Sequence, residues 1–203
     1  MLQIAQEAGW NCAGSEYSVD AVAKGRQCGW EVHLGDLTPG DLPGPFDVLT
    51  IVETLEHVQD PLQLLQQGLS RLRRGGLIYG TTPNSQSVNA YILRSHWSVI
   101  TFPEHPVLLS RKALKTMLKE LGFTQISVRS KGFNPYDLIS KVSSKLFVNQ
   151  VNDQDHFSRV EYGYRLNTNL SKNLVLRLFK FLVNLFLGLS NRGDSLIFTA
   201  VKS

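Results

Sequence analysis

One segment, FDVLTIVETLEHVQDP at residues 46–61, decides the predicted fold. Its first half, Phe46–Val52, is an apolar run without regular polar alternation, which is typical of a strand buried on both faces of a parallel sheet. Acidic residues and a histidine follow directly, where the strand would reach the carboxyl edge of that sheet. Open α/β folds bind their ligands at this edge, so the segment also predicts the position of a functional site.

Three of the polar residues in this segment share one spacing. Glu53, Glu56 and His57 stand at i, i+3 and i+4, so any helical turn there brings them to one face. Two carboxylates and an imidazole on one face could hold a metal ion or carry a proton. The alternative is a solvated turn in which Asp60 only caps the next helix.

Length and composition indicate one soluble globular domain. The 203 residues are 42% hydrophobic and 19% charged, which suffices for a core and excludes a disordered or fibrous chain. Cys12 and Cys28 lack the spacing of a metal or redox motif and are typical of small core residues in a reducing compartment. The amino terminus lacks the basic leader and apolar run of a signal peptide, so we expect a cytoplasmic protein.

Helical and strand patterns alternate along the chain. Strands are predicted at 11–15, 31–34, 46–52, 77–82, 123–129 and 195–201, and helices at 2–8, 19–28, 61–72 and 111–121. This alternation predicts an α/β fold with a mostly parallel sheet and helices on both faces.

Further motifs occur in a fixed order along this alternation. Acidic residues follow the first two predicted strands, at Glu16 and at Asp36-Leu37. After the central segment come Gly75-Gly76, Thr82-Pro83-Asn84, Trp97, Pro103-Glu104-His105 and Leu121-Gly122-Phe123. Over residues 1–130 and 193–202, this series resembles the class I S-adenosylmethionine-dependent methyltransferases, in the group that includes the ubiquinone-biosynthesis O-methyltransferases.

The resemblance implies a Rossmann-like fold, S-adenosylmethionine as the cofactor, and a set of cofactor-binding residues. The family's acid at the position of Glu16 binds the ribose hydroxyls, for which a carboxylate at a strand end is a suitable acceptor. Asp36 and Leu37 match the pair beside the adenine, and Val52 ends the strand that leads to the site. We therefore expect Glu16, Asp36, Leu37 and Val52 to bind the cofactor.

One feature of the family does not occur in this sequence. Family members begin with a strand and a G-x-G-x-G loop against the methionine end of the cofactor, whereas residues 1–203 contain no such loop. Because the family's first strand lies in the middle of the sheet, we expect two neighbouring strands each to lack a partner. The chain is either an amino-terminally truncated member, the interpretation we favour, or a degenerate relative.

Methyl transfer to a hydroxyl requires a base, and two histidines are candidates. His57 or His105 could take the proton, since imidazole titrates near neutrality. A Glu-x-x-Glu-His element like the one here also ligates a divalent cation in small-RNA 3′-end 2′-O-methyltransferases and in the ubiquinone-pathway enzymes. There the cation, such as Mg²⁺, activates the target oxygen. The corresponding metal ligands here are Glu53, Glu56, His57 and His105, and the alternative is a site without a metal.

The segment 131–192 is predicted to be a helical insertion, or lid, between the methyltransferase segments 1–130 and 193–203. Within it, residues 172–190 predict an apolar helix with one polar stripe, formed by Asn173, Arg177, Lys180 and Asn184. The helix is short for a membrane span. It either covers the sheet or the substrate cleft, which we favour, or makes peripheral contact with a membrane, its cations at the headgroups.

Two functions of different classes follow. The first is methylation of an oxygen on a small-molecule acceptor derived from a lipid, a quinone or a sugar. The second is a non-catalytic binding module with the same fold, and an upstream strand with a G-x-G-x-G loop would favour the enzyme. A nucleic-acid partner is not expected, because no stripe of basic and aromatic residues occurs outside the insertion.

Overall fold

The computed structural model describes residues 1–35, 44–135 and 174–203, in which helices and strands alternate as predicted. A short 3₁₀ turn, Arg94–His96, follows the fourth of the helices. The elements in chain order are α1 (Leu2–Glu7), β1 (Ala13–Glu16), α2 (Val19–Gln27), β2 (Glu31–Leu34), β3 (Phe46–Val52), α3 (Pro61–Arg71), β4 (Leu72–Pro83), α4 (Val88–Leu93), α5 (Arg111–Glu120), β5 (Phe123–Lys131), α6 (Leu174–Leu189) and β6 (Ser195–Lys202).

Helix α4 was not predicted, and a second difference from the predicted elements lies at the start of β4. The preceding helix was expected to include Leu72 and the strand to begin at Leu77, but β4 already begins at Leu72. Leu72 pairs with Phe46 and the regular ladder resumes at Leu77, so residues 73–76 form a bulge. Gly75 makes this bulge feasible because its φ of +73° lies in the left-handed region, which glycine adopts without strain.

The strands form two sheets in the described part of the chain. β1 pairs in parallel with β2, and a four-stranded sheet has the order β3-β4-β6-β5. β3 and β4 are parallel, whereas β6 is antiparallel to both of its neighbours. β3, β4 and β5 therefore share one direction, and this confirms an α/β fold of the Rossmann-like type.

Within the described residues no ladder joins β1 to β3. This is the gap expected at the position of the family's first strand, and it leaves β1 and β3 each with one unpaired edge. The prediction that β3 is buried on both faces is wrong for the same reason. Only Ile51 of this strand is buried, because a strand that is paired on one edge alone is less covered.

An apolar core lies between the four-stranded sheet and its helices. Helices α3 and α5 bury Leu65, Leu114 and Leu118 in it, against Ile78 and Phe198 of the sheet. Close packing extends to the backbone: a Cβ on Gly80 would overlap the Phe198 ring and the Ile51 carbonyl oxygen. The core thus sets the mutual position of β3 and β4, whose ends carry the polar residues.

Side-chain caps are present at the starts of the two core helices. The Asp60 carboxylate accepts from the backbone N–H of Gln63 at 3.0 Å, with Pro61 at the first position of α3. Ser110 accepts in the same way from Ala113 at 3.1 Å at the start of α5. These local bonds satisfy backbone donors that a helix start leaves unpaired, so the helices begin where the sequence predicts.

Helix α6 confirms the predicted helix in the insertion over Leu174–Leu189, although residues 172 and 173 lie outside the described ranges. It packs on β5 through Leu187, whose carbonyl oxygen accepts from the Ser130 hydroxyl at 3.3 Å. Asn184, expected in an outward polar stripe, is half-buried instead, with its Oδ1 enclosed. No helix in the described part of the chain has both the length and the apolar character needed to cross a membrane.

Candidate active site

The candidate site lies at the carboxyl ends of the parallel strands. The Gly35 backbone N–H donates to the carbonyl oxygen of Glu16 at 2.9 Å, which keeps the ends of β1 and β2 level. In the same way Glu53 N–H donates to the carbonyl oxygen of Thr81 at 3.0 Å at the ends of β3 and β4. Within each of these two strand pairs, polar residues that are far apart in sequence therefore lie at neighbouring strand ends.

The turn after β3 groups only part of the set that the i, i+3, i+4 spacing was expected to bring together: the carboxyl groups of Glu53 and Glu56 interact, but the three side chains differ in exposure. Glu53 has a φ of +47°, in the left-handed region, and the His57 N–H donates to the Thr54 carbonyl oxygen at 3.0 Å. Glu53 and His57 are exposed, whereas Glu56 points inward and is 1% exposed. A carboxylate rarely stays buried without a hydrogen-bond partner. The contact of the Glu56 side chain in the protein interior therefore indicates what this residue does.

The partner of Glu56 is Thr82, at the end of β4. The Thr82 hydroxyl, itself fully buried, donates to Glu56 Oε2 at 2.9 Å. Burial raises the pKa of the Glu56 carboxyl, the charge of nearby Glu53 raises it further, and the bonds from Thr82 and from the backbone of Glu56 oppose this only in part. Glu56 thus holds the turn after β3 to the end of β4 instead of facing solvent.

The two histidines predicted as candidate bases do come together. The ring centroids of His57 and His105 are 4.6 Å apart, with 58° between the ring planes. His57 Nδ1 lies 2.9 Å from the carbonyl oxygen of Glu104, and His105 Nδ1 lies 2.6 Å from that of Val99. The loop that begins at the buried Trp97 therefore places His105 against the turn after β3.

These contacts determine which ring nitrogen can accept a proton. A carbonyl oxygen only accepts hydrogen bonds, so Nδ1 of each neutral ring carries the hydrogen and Nε2 keeps the lone pair. His57 is exposed and His105 half-buried, so Nε2 of His57 is the more accessible of the two basic atoms. A hydroxyl presented to this nitrogen could transfer its proton to it.

The structure does not unite the four predicted metal ligands. The described residues contain no group of three or more His, Cys, Asp or Glu side chains that could hold a metal ion. Glu56 is the physical reason, because its carboxyl is buried and bonded to Thr82 while Glu53 and His57 face outward. These residues do not fit a preformed cation site, so no chemical step is assigned to a cation.

The structure describes two of the four residues predicted to bind the cofactor. Glu16 is exposed at the end of β1, where its Oε1 accepts from the backbone N–H groups of Tyr17 and Ser18 at 2.8 and 3.0 Å. The carboxylate is thereby oriented while Oε2 can still accept from a ligand hydroxyl, which suits a ribose. Val52 is 37% exposed at the end of β3. Asp36 and Leu37 lie outside the described residues.

A basic groove on another part of the surface was missed by the sequence analysis. Its volume is about 590 Å³ and it is lined by Gln86, Arg111, Lys112, Lys115, Thr116, Lys119, Ser190, Asn191 and Arg192. The spacing of the cations along residues 111–119 was a usable signal, because it places them on one face of α5. The contribution of residues 190–192 could not be read in this way, because they come from a distant part of the chain.

Comparison with known proteins assigns the chain to a family. Residues 1–128 match the sequence model of the methyltransferase domain family, which is more than half of the chain. The chain belongs to this methyltransferase family, as the motifs at the strand ends indicated.

One curated relative is the ubiquinone biosynthesis O-methyltransferase of Colwellia psychrerythraea. The two sequences are 31% identical over 116 residues, which cover 54% of this chain and 47% of the relative. The chain thus spans about half the length of the curated relatives it matches.

Solved structures similar to this chain support the fold. A SAM-dependent methyltransferase from Archaeoglobus fulgidus matches with a TM-score of 0.59 and 20% identity, over 99% of this chain and 80% of the other. The phosphoethanolamine N-methyltransferase 2 of Haemonchus contortus, solved in complex with S-adenosyl-L-methionine, matches with a TM-score of 0.50 and 16% identity, over 99% and 45%. At these identities the likeness establishes the fold alone.

Proposed function

We propose that this chain is the catalytic domain of an S-adenosylmethionine-dependent methyltransferase that methylates an oxygen of a small-molecule acceptor. The observation that carries the proposal is the His57–His105 pair at the carboxyl edge of the sheet, with Nδ1 of each ring held by a backbone carbonyl. Membership of the methyltransferase family and the orientation of Glu16 at the end of β1 support it.

The cofactor would supply an electrophilic methyl group on a sulfonium. The contribution of the chain is to bind, to orient and to take a proton. Glu16 Oε2 would accept from the ribose hydroxyls, and His57 Nε2 would take the proton from the acceptor hydroxyl. The acceptor oxygen then forms its bond to the methyl carbon as the sulfur–carbon bond breaks, and the bonding pair remains on sulfur.

The acceptor class rests on the relatives. Several curated relatives share the name ubiquinone biosynthesis O-methyltransferase, at 24–31% identity. This favours a quinone-like or other lipid-derived acceptor over a sugar-derived one. Two free cysteines, of which Cys28 is exposed, are consistent with a reducing compartment and so with action in the cytoplasm.

The proposal includes no divalent cation, because Glu56 is buried and bonded to Thr82. We expect methyl transfer to continue after exhaustive chelation. A loss of activity that Mg²⁺ restores would show that ligands rearrange around a cation when the acceptor binds.

The test uses a protein in which a strand and a G-x-G-x-G loop are joined to the amino terminus of the chain. We expect calorimetry to detect S-adenosylmethionine binding by this protein, and only weak binding by residues 1–203, since β1 and β3 each have an unpaired edge. Transfer of a labelled methyl group to a catechol-type quinone precursor should then depend on His57. Transfer at an unchanged rate by a His57→Gln variant would overturn the assigned base.

The second candidate function is a non-catalytic binding module. In the described residues β1 and β3 each have one edge without a ladder, and this arrangement is compatible with such a module. A joined protein that binds the cofactor yet transfers no methyl group to quinone-like, lipid-like or sugar-derived hydroxyls would support this function and refute the enzyme.

A further inference from the structure

The basic groove collects five cations from two separate parts of the chain. Arg111, Lys112, Lys115 and Lys119 lie along one side of α5, next to the face that buries Leu114 and Leu118 in the core. Arg192 comes from the turn that joins α6 to β6. The remaining lining residues are uncharged: Gln86, Thr116, Ser190 and Asn191.

Among the described residues that line the groove, no carboxylate balances this charge. Arg111 Nε donates to the Val128 carbonyl oxygen at 2.8 Å, and Arg192 donates to the Gln86 carbonyl oxygen at 3.4 Å, so both guanidinium groups are held by backbone. Like charges one helical turn apart, such as those of Lys115 and Lys119, repel each other. An anion in the groove would relieve this repulsion, so the groove is suited to phosphate groups.

An exposed apolar face ends at the same groove. Five side chains of α6 at i, i+1, i+4, i+5 and i+8 form this face, and they are 49–75% exposed: Phe181, Leu182, Leu185, Phe186 and Leu189. The opposite side of α6 packs on β5 through Leu187. Leu189 is followed directly by Ser190, which lines the groove, so apolar and basic surfaces adjoin.

This exposure differs from the expectation for an internal lid. A helix that covers the core or a cleft would bury its apolar side chains, yet Phe186 is 70% and Leu189 75% exposed. A row of large apolar side chains beside a cluster of cations is the pattern of a surface that contacts a bilayer.

We propose that the basic groove and the exposed face of α6 form one surface that binds the headgroups and outer acyl region of an anionic phospholipid bilayer. The cations of α5 and Arg192 meet lipid phosphates, while Phe186, Leu189 and their neighbours enter the acyl boundary. A nucleic acid would use the cations but leave the apolar face in water, and an acidic peptide would do the same. The cations and the exposed apolar side chains together therefore favour a lipid surface over these two alternatives.

The experiment is flotation of residues 1–203 with vesicles of phosphatidylglycerol and phosphatidylcholine, compared with vesicles of phosphatidylcholine alone. We expect binding to the anionic vesicles that weakens as NaCl is raised from about 0.05 to about 0.5 M, because salt screens exposed charges. The measurement does not involve methyl transfer, so its failure is distinct from failure of the proposed function.

Two double variants separate the two parts of the surface. Lys112→Gln with Lys115→Gln should weaken binding by roughly 30-fold, the loss expected for two lysines at an anionic membrane. Phe186→Ser with Leu189→Ser should weaken it by at least about tenfold. The matched control removes two charges elsewhere, Lys24→Gln with Arg74→Gln, and should bind like the original chain. All of these side chains are exposed or half-buried, and circular dichroism would verify that each variant is folded.

Several results would overturn the proposal. These are no flotation with anionic vesicles, equal binding to neutral vesicles, or equal losses in the groove and control variants. Release of the protein by millimolar glycerol phosphate would indicate a site for a small phosphate ester instead of a bilayer. Binding of duplex DNA as tight as binding of the vesicles would indicate a nucleic-acid groove.

Discussion

The bond between Thr82 and Glu56 offers a direct test of how the turn after β3 is held. Both side chains are essentially unexposed, and the hydroxyl-to-carboxyl distance is 2.9 Å. Thr82→Val keeps the side-chain volume but removes the donor, which leaves a buried carboxyl without this partner. The expected loss in the free energy of unfolding is about 1–3 kcal/mol, the cost of an unsatisfied buried polar group. For a chain of this size, each 1 kcal/mol corresponds to roughly 2–4 °C in Tm.

Replacement of the carboxyl itself should have a different effect that depends on pH. The pKa of Glu56 is raised in the folded state above its ordinary value of 4.5, so the folded chain keeps a proton that the unfolded chain releases. The stability that this group contributes is full below pH 4.5 and is lost as pH rises through the raised pKa. Glu56→Gln retains an acceptor for Thr82 and removes the ionisation, so its stability relative to the original chain should increase with pH.

The assay is urea unfolding followed by circular dichroism between about pH 4.5 and about pH 8, with the slope of the denaturant dependence checked for each variant. Glu53→Gln is the control, because the charge of Glu53 is one cause of the raised pKa, and its removal should shrink the effect. Parallel stability curves for the original chain and Glu56→Gln across this range would refute the reasoning. So would a Thr82→Val variant as stable as the original chain.

Three further predictions concern cofactor binding, catalysis and packing. In the joined protein, Glu16→Ala should weaken S-adenosylmethionine by about 1–3 kcal/mol, because it removes a charged acceptor; an unchanged Kd in calorimetry would exclude Glu16 as the ribose ligand. His57→Gln should lower kcat about 10²- to 10⁴-fold while leaving the Kd of the cofactor unchanged, and a parallel loss of cofactor binding would mean that the ring is structural. Gly80→Ala should destabilise the fold by about 1–3 kcal/mol, since the added Cβ would overlap the Phe198 ring and the Ile51 carbonyl oxygen. Chemical unfolding measures this loss. An unchanged unfolding midpoint would show that the core rearranges around the added methyl group without cost.

The positions of the elements and of the site edge could be predicted from sequence because their causes are local. Asp60 and Ser110 cap helices through bonds to residues three positions away. The apolar run Phe46–Val52 ends in polar residues within the same segment, which is enough to place a strand end. The expected gap between β1 and β3 likewise required only the order of motifs along the chain.

The direction in which each site residue points was decided by tertiary contacts. Glu53, Glu56 and His57 look equivalent at i, i+3 and i+4, yet Glu56 turns inward because Thr82, 26 positions along the chain, offers a buried donor. The burial of β3 likewise depended on whether both of its edges are paired, which no short stretch of sequence reveals.

The basic groove is the clearest case of a feature that only the folded chain creates. Helical spacing alone places Lys112, Lys115 and Lys119 on one face of α5. Arg192 joins them only because β6 returns between β4 and β5 and brings the end of α6 to the start of that helix. Sequence thus determines what short-range bonds and periodicity control, whereas contacts between residues far apart in the chain depend on the packing of the whole sheet, which local patterns do not encode.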